Sequence, residues 1–242
     1  MIFDFYFLYW ISGIILIPGM ILAIFAQIKV SSAYKKYSKT SAKSGWIARE
    51  MSEMLLERAG AGGVRVYKTG GSLTDYYNPK DKTLHLSETV HDSSSIAALA
   101  VSAHEVGHAI QDNEHYAPLK FRKVIVPIVN LGSRLAIPLA IIGLILTFFE
   151  GFGEFGEFIL FIGIIAYSLT FVFALITLPV EINASNRAKR LLLQTNVLDE
   201  KEIRGASKVL SAAAWTYVAS MIVSLLYLLR FILVISSLRR RD

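Results

Sequence analysis

Residues 5–28 read FYFLYWISGIILIPGMILAIFAQI and decide the fold class, because no charged side chain interrupts them. As an α-helix this stretch would be about 36 Å long, enough to cross the hydrocarbon core of a bilayer. A cleaved signal peptide is the alternative interpretation. However, Asp4 rather than a basic residue precedes the run, and the run is too long for a signal core. We therefore expect a retained N-terminal transmembrane helix within residues 1–28.

Three further apolar runs follow, at residues 124–149, 158–180 and 209–229. Of the 242 residues 54% are hydrophobic and only 18% are charged, which is a membrane composition. The sequence thus predicts an α-helical integral membrane protein with three to four transmembrane helices. A short loop joins the middle two runs, so residues 123–180 predict a transmembrane hairpin, and residues 209–242 a C-terminal membrane-associated helix. The chain has no cysteine, which excludes disulfides, cysteine zinc ligands and thiol nucleophiles.

The distribution of basic residues predicts an orientation in the membrane. Lysine and arginine are frequent in residues 29–49, 120–123 and 187–208, and the loop at 150–157 has none. By the positive-inside rule, residues 29–122 and the helix at 181–208 lie in the cytoplasm. The net charge of +6 then reflects contact with membrane lipid rather than nucleic acid. The basic end at residues 239–241 conflicts with a fully spanning fourth helix, and a re-entrant or surface-lying final segment would remove the conflict.

Residues 29–122 have the pattern of a small α+β domain. Ser44 is a candidate N-cap for a helix with apolar residues at helical spacing from Ile47. Two strands are predicted at residues 64–67 and 83–86, and the second could be an edge along which an extended peptide pairs. Residues 93–95, all serine, predict the start of a helix that runs to about Asn113.

That last helix contains the sequence His104-Glu105-Val106-Gly107-His108, an HExxH motif. Residues four apart lie on the same helix face, so both imidazoles can share one metal ion. Glu105 is close enough to act as general base on water at that metal. The small residues around the motif, Ala100, Ala103 and Gly107, are expected to leave room for a metal and a substrate backbone.

Catalytic zinc has three protein ligands, so one more is required. Glu181, at the inner end of the third apolar run, is the preferred candidate over His85 and His115. A solvated interfacial carboxylate is the alternative interpretation of Glu181. Further along, Asn183, Ser185 and Asn186 are candidates for orienting the ligands by hydrogen bonds. The candidates for stabilising the oxyanion are Arg187, Tyr76 and Tyr77.

The chain resembles the YugP-like family of bacterial, membrane-bound, neutral zinc metallopeptidases. The resemblance covers nearly the whole chain and is most specific at residues 73–79, 83–88, 103–111, 117–120 and 178–188. It implies a zincin-like cytoplasmic peptidase domain with a gluzincin-like site, in which Zn²⁺ is bound by His104, His108 and Glu181, and Glu105 is the base. Two positions differ: Tyr76 stands where a histidine is frequent, and Ser185 where related membrane peptidases have aspartate.

The sequence therefore predicts a zinc metalloendopeptidase of the bacterial cytoplasmic membrane, with its active site facing the cytoplasm. Its substrates would be membrane-associated or misfolded proteins. The competing hypothesis is a non-catalytic, zinc-binding membrane scaffold. Structural zinc sites are closed by four protein ligands, and this chain offers three together with a candidate base.

Overall fold

The computed structural model describes residues 10–239. Residues 1–9 of the predicted first helix and the predicted basic residues Arg240 and Arg241 lie outside the described part of the chain. The described part is mostly helical. Its helices are α1 (Leu16–Tyr37), α2 (Ala48–Arg58), α3 (Glu88–His91), α4 (Ile96–Asn113), α5 (Ala117–Leu146), α6 (Gly153–Gln194) and α7 (Glu200–Arg239). Its strands are β1 (Arg65–Thr69), β2 (Tyr76–Asn78) and β3 (Thr83–Ser87).

Four segments of the described chain are helical, long and apolar enough to cross a bilayer. They are Trp10–Tyr37, Ala117–Leu146, Gly153–Gln194 and Glu200–Ser236. In the most apolar part of each, no more than 22% of the residues are buried inside the protein. Apolar surface of this extent is stable in lipid and not in water. The prediction of a helical membrane protein is confirmed, with four candidate spans.

The chain forms two compact units. One contains Met1–Phe25, Phe121–Thr177 and Tyr217–Asp242, and the other contains Ala26–Lys120 and Leu178–Thr216. In the first unit, α5 and α6 approach closely because glycines face each other. A Cβ atom added to Gly156 would lie 2.7 Å from the carbonyl oxygen of Gly143. Small residues at such contacts let membrane helices pack backbone against backbone.

The second unit contains a three-stranded sheet in the order β1-β3-β2. Strand β3 pairs in parallel with β1 and antiparallel with β2. The hypothesis that β3 is an edge strand is therefore wrong, because it is the central strand. The sheet's edges are β1 and β2, and β2 was not predicted from the sequence. Leu84 and Leu86 of β3 are 0% exposed, as expected for a central strand.

Helix α4 runs through the hydrophobic core of the second unit, where Leu99 and Val106 are 0% exposed. Its N-cap is Ser95, whose side chain accepts a hydrogen bond from the backbone N–H of Ala98 at 3.2 Å. The serine cluster therefore caps the helix as predicted. The prediction for α2 is wrong in detail, because its N-cap is Ile47, without a side-chain cap, and not Ser44.

Helices α6 and α7 are longer than the predicted segments. Helix α6 continues through Pro179 and includes the third apolar run and the basic residues as far as Gln194. The prediction of one helix over residues 181–208 is wrong, because α6 ends at Gln194 and α7 begins at Glu200, with Asn196 between them in a left-handed backbone conformation of φ 55°. Helix α6 begins at Gly153, inside the predicted loop. Helix α7 continues past Arg230 to Arg239. The division of the chain into domains at residues 28, 122, 180 and 208 stays a prediction, as does the side of the membrane on which α7 ends.

Candidate metal centre

Two turns of α4 present His104 and His108 on one face. Their ring centroids are 4.8 Å apart and the ring planes are nearly perpendicular, at 83°. Both side chains are largely buried, with 13% and 12% of their surface exposed. The helical spacing of the two residues therefore has the predicted consequence, which is two imidazoles directed at one small volume.

Glu181 reaches the same volume from α6. Its Oε2 atom lies 3.1 Å from Nε2 of His104 and 3.3 Å from Nε2 of His108. Each of the three residues offers a ligand atom, and these atoms all lie within 4.8 Å of one another. The side chain of Glu181 is only 3% exposed, so it is not a solvated interfacial charge. The three residues predicted as ligands thus lie together and could hold a metal ion.

The close approach of α4 and α6 depends on Gly107. A Cβ atom at this position would lie 2.7 Å from the carbonyl oxygen of Ala184 and 3.2 Å from its Cα. Ala100 and Ala103 are 0% exposed. These small residues were expected to leave room for metal and substrate, but Gly107 instead makes room for the backbone of α6. That contact brings Glu181 to the histidines.

Each imidazole also has a partner at its other nitrogen. The hydroxyl of Ser185 lies 3.1 Å from Nδ1 of His104, and Oε1 of Gln111 lies 3.0 Å from Nδ1 of His108. Ser185 thus lies where an orienting side chain was expected from the sequence. Gln111 was not predicted, although its position three residues after His108 on one helix face was a usable signal. Asn183 contacts Gln111, and Asn186 is exposed.

Glu105 lies beside the histidines and is partly buried. Its Oε2 accepts a hydrogen bond of 3.1 Å from the backbone N–H of Tyr77 in β2. Burial raises the pKa of Glu105 above its ordinary value, and the neighbouring imidazoles of His108 and His104 oppose that rise. A carboxylate with a raised pKa is a better proton acceptor at neutral pH than a solvated one.

The electrostatics of His108 favour a positive charge at its ring. Burial works to lower its pKa, but the hydrogen bond to Glu181 and the nearby carboxylate of Glu105 outweigh burial and raise the pKa. Two carboxylates therefore surround this imidazole. A bound cation would experience the same attraction.

The other candidate histidines lie outside the ligand group. His85 is stacked between Tyr67 and Tyr76, with ring centroids at 5.7 and 4.5 Å. His115 lies beyond the end of α4, in a left-handed backbone conformation with φ of 57°. Neither belongs to the three-residue group around Glu181.

The three oxyanion candidates have other contacts. Arg187 donates to Asn183 at 2.7 Å and forms an ion pair with Glu114 at 2.7 Å. The hydroxyl of Tyr77 donates to Asp112 at 2.8 Å, and the ring of Tyr76 stacks on His85. The assignment of an oxyanion-stabilising residue stays a prediction.

Comparison with known proteins defines the class. The family described as "Putative neutral zinc metallopeptidase" matches residues 12–236, and the chain belongs to this family. Among curated proteins it is similar to the "Putative membrane protease YugP" of Bacillus subtilis (strain 168). The two are 42% identical over 218 residues, which are 90% of this chain and 93% of that protein. No solved structure matches the chain. The predicted family resemblance is confirmed, and the family implies zinc and peptide or protein substrates.

The residues at the centre fit a zinc ion. Two imidazole nitrogens and one carboxylate oxygen form a donor set that is common at catalytic zinc, where a fourth position stays open. The ligand group within the described residues has three members and not four. This number distinguishes it from the closed, four-ligand sites of structural zinc.

Proposed function

We propose that the protein is a membrane zinc metalloendopeptidase with a gluzincin-like site. His104, His108 and Glu181 would be the zinc ligands, and Glu105 the general base. One observation carries this proposal: Nε2 of both histidines approaches the same carboxylate oxygen, within 3.3 Å. The group has three members, which supports catalysis over the alternative of a structural zinc scaffold.

When bound, zinc supplies Lewis acidity, which favours deprotonation of water and polarises a peptide carbonyl. The remaining chemistry belongs to Glu105. Its carboxylate accepts the proton from the attacking water and returns it to the leaving amine. The backbone N–H of Tyr77 holds Oε2 of Glu105 in place, and burial raises the pKa of the carboxyl toward the working range of a general base.

We place the substrate beside β2, because this strand lies at an edge of the sheet and contacts the base. Tyr77 is between Tyr76 and Asn78 in the antiparallel pairing with β3, while its N–H is directed at Glu105. An extended polypeptide that lies along this strand would pass the metal centre. Contacts made to the backbone of a polypeptide tolerate many sequences, which suits hydrolysis of unfolded or misfolded membrane-associated proteins.

We further propose that the site faces the cytoplasm of a bacterial cell, within a zincin-like domain. The basic residues of 29–49, 120–123 and 187–208 support this orientation through the positive-inside rule, as does the absence of lysine and arginine from 150–157. The protein would then be a multi-pass protein of the cytoplasmic membrane that contacts anionic lipid.

The decisive experiment is Glu105→Gln in detergent-purified protein. Glutamine has nearly the same shape as glutamate, so zinc should stay bound. It is not a base, so proton transfer from water should be lost. Hydrolysis of a labelled unfolded protein should slow at least about 100-fold, the low end for loss of general acid–base catalysis. Glu53→Gln is the matched control, because Glu53 lies on α2, is half-exposed and forms an ion pair with Arg49 at 3.4 Å. Near-parental proteolysis by zinc-loaded Glu105→Gln would refute the assignment.

A further inference from the structure

Gln111 connects the two helices of the metal centre. It lies one turn after His108 on α4 and is 0% exposed. Its Oε1 lies 3.0 Å from Nδ1 of His108. Its Nε2 donates to the carbonyl oxygen of Val180 at 2.8 Å and to Oδ1 of Asn183 at 3.0 Å. One buried amide therefore contacts a candidate ligand on α4 and the turn of α6 that contains Glu181.

The hydrogen-bond chemistry allows only one orientation of this amide. The carbonyl of Val180 can only accept, so the nitrogen end of Gln111 must face it. Arg187 can only donate, and its Nε lies 2.7 Å from Oδ1 of Asn183. This contact fixes the oxygen of Asn183 as a second acceptor for Gln111.

The orientation of Gln111 determines the tautomer of His108. With its nitrogen directed at α6, Gln111 presents only an acceptor oxygen to Nδ1 of His108. Nδ1 must therefore carry the proton, and the lone pair of a neutral imidazole is left on Nε2, the atom that faces Glu181. Ser185 does not determine the tautomer of His104 in the same way, because its hydroxyl can either donate to Nδ1 or accept from it.

The same amide also fixes the register of the two helices. Its two acceptors on α6 are Val180, immediately before Glu181, and Asn183, two residues after it. Arg187 extends the network by its ion pair of 2.7 Å with Glu114, beyond the end of α4. A shift of α6 along α4 would break both bonds of the Gln111 amide.

We infer that Gln111 is a positioning residue for the metal centre: it selects the tautomer of His108 and holds Glu181 opposite it. This inference rests on the proposed function, since it takes these two residues as zinc ligands. Gln111 touches neither metal nor substrate in this role. Its removal should therefore weaken zinc binding through the ligands that it orients.

The test is the zinc affinity of Gln111→Leu, measured by competition with a chelator in detergent. Loss of a partner that orients a ligand typically costs about 10- to 100-fold in metal affinity, and we expect that range. Ser102→Ala is the matched control. Ser102 is also a 0% exposed polar residue of α4, but its hydroxyl bonds to the carbonyl of Leu99, so parental affinity is expected.

A second readout separates positioning from general destabilisation. With Co²⁺ in place of zinc, the visible absorption bands report ligand geometry, and they should change in Gln111→Leu at saturating metal. Parental zinc affinity with an unchanged Co²⁺ spectrum would overturn the inference. An equal loss of affinity in Ser102→Ala would overturn it as well.

Variants at the partly exposed Asn183 keep the inference testable if Gln111→Leu does not fold. Asn183→Asp retains the acceptor oxygen for Gln111 and should bind zinc nearly as the parent does, whereas Asn183→Leu should bind it more weakly. Equal affinities for the two would contradict the inference. Glu181→Ala in the same assay tests the proposed function separately, because tight zinc binding by that variant would refute the ligand assignment itself.

Discussion

Gly107→Ala is the most direct test of how α4 and α6 meet. The added Cβ would lie 2.7 Å from the carbonyl oxygen of Ala184, which is about 0.7 Å short of the 3.4 Å where ordinary contact begins. The neighbouring atoms are backbone, so no flexible side chain can move away. Overpacking of this kind typically costs about 1–3 kcal/mol. For a chain of this size, each kcal/mol lowers the melting temperature by roughly 2–4 °C.

The metal centre should respond as well as the fold. Ala184 is three residues after Glu181, and functional sites need their ligands within about 0.5 Å of the productive geometry. A displacement of 0.7 Å exceeds that tolerance, so zinc affinity should fall by at least about tenfold, or 1.4 kcal/mol. Gly63→Ala is the control, because nothing lies within 4 Å of a Cβ atom there. Thermal melting and chelator competition would be measured on both variants. Parental values for Gly107→Ala would refute the close helix contact.

Two further predictions concern the third ligand and the orientation. In Glu181→Ala the zinc affinity should fall by more than the 10- to 100-fold that is typical when an orienting partner is lost, because a ligand oxygen is removed. Chelator competition measures this affinity. If the variant keeps stoichiometric zinc at sub-micromolar free metal, the third ligand lies elsewhere. Because the chain has no cysteine, Phe152→Cys and Lys39→Cys give clean topology probes. An impermeant thiol reagent applied outside should label position 152 and not position 39, and the reverse pattern would contradict a cytoplasmic site.

The part of the candidate metal centre that follows from helical periodicity could be predicted from the sequence. His104 and His108 are four residues apart, and the serine cluster before them gives the start of their helix. Glu181 is 77 residues from His104, and its proximity was inferred from the two apolar runs between them, which leave the membrane surface and return to it. The first inference depends on helical spacing and the second on long apolar runs, and both patterns are visible in the sequence.

The sheet shows what such patterns do not contain. Strand β2 has three residues, too few for an alternating pattern to be visible. The parallel pairing of β1 with β3 places β3 in the centre, although β2 lies between them in the chain. Strand order is set by packing onto α4, where Tyr77 contacts both Glu105 and Asp112. Tertiary contacts of this kind have no local signature in the sequence.

The helix ends show a different limit. The predicted boundary at residue 180 followed a change from apolar to basic composition, but α6 crosses it without a break. A helix is held by its own backbone hydrogen bonds, which form in water as in lipid. A change from apolar to basic residues therefore indicates where the helix passes from lipid to water, and not where the helix ends. Pro179 removes one of these bonds and still lies inside α6.

The continuity of α6 matters for the site. Because α6 is a single helix inside and beyond the apolar region, the positions of all its residues along α4 are fixed together. Residues 104, 108 and 111 of α4 form a single stripe at helical spacing, and that stripe was readable from the sequence. Glu181, Asn183 and Ser185 were expected near this stripe, but the histidine that each one faces was not predictable, since it depends on how far α6 slides along α4. The backbone contact at Gly107 and the two bonds of the Gln111 amide fix that position. Helical periodicity therefore predicts the candidate ligands, and packing between the two helices decides whether they converge.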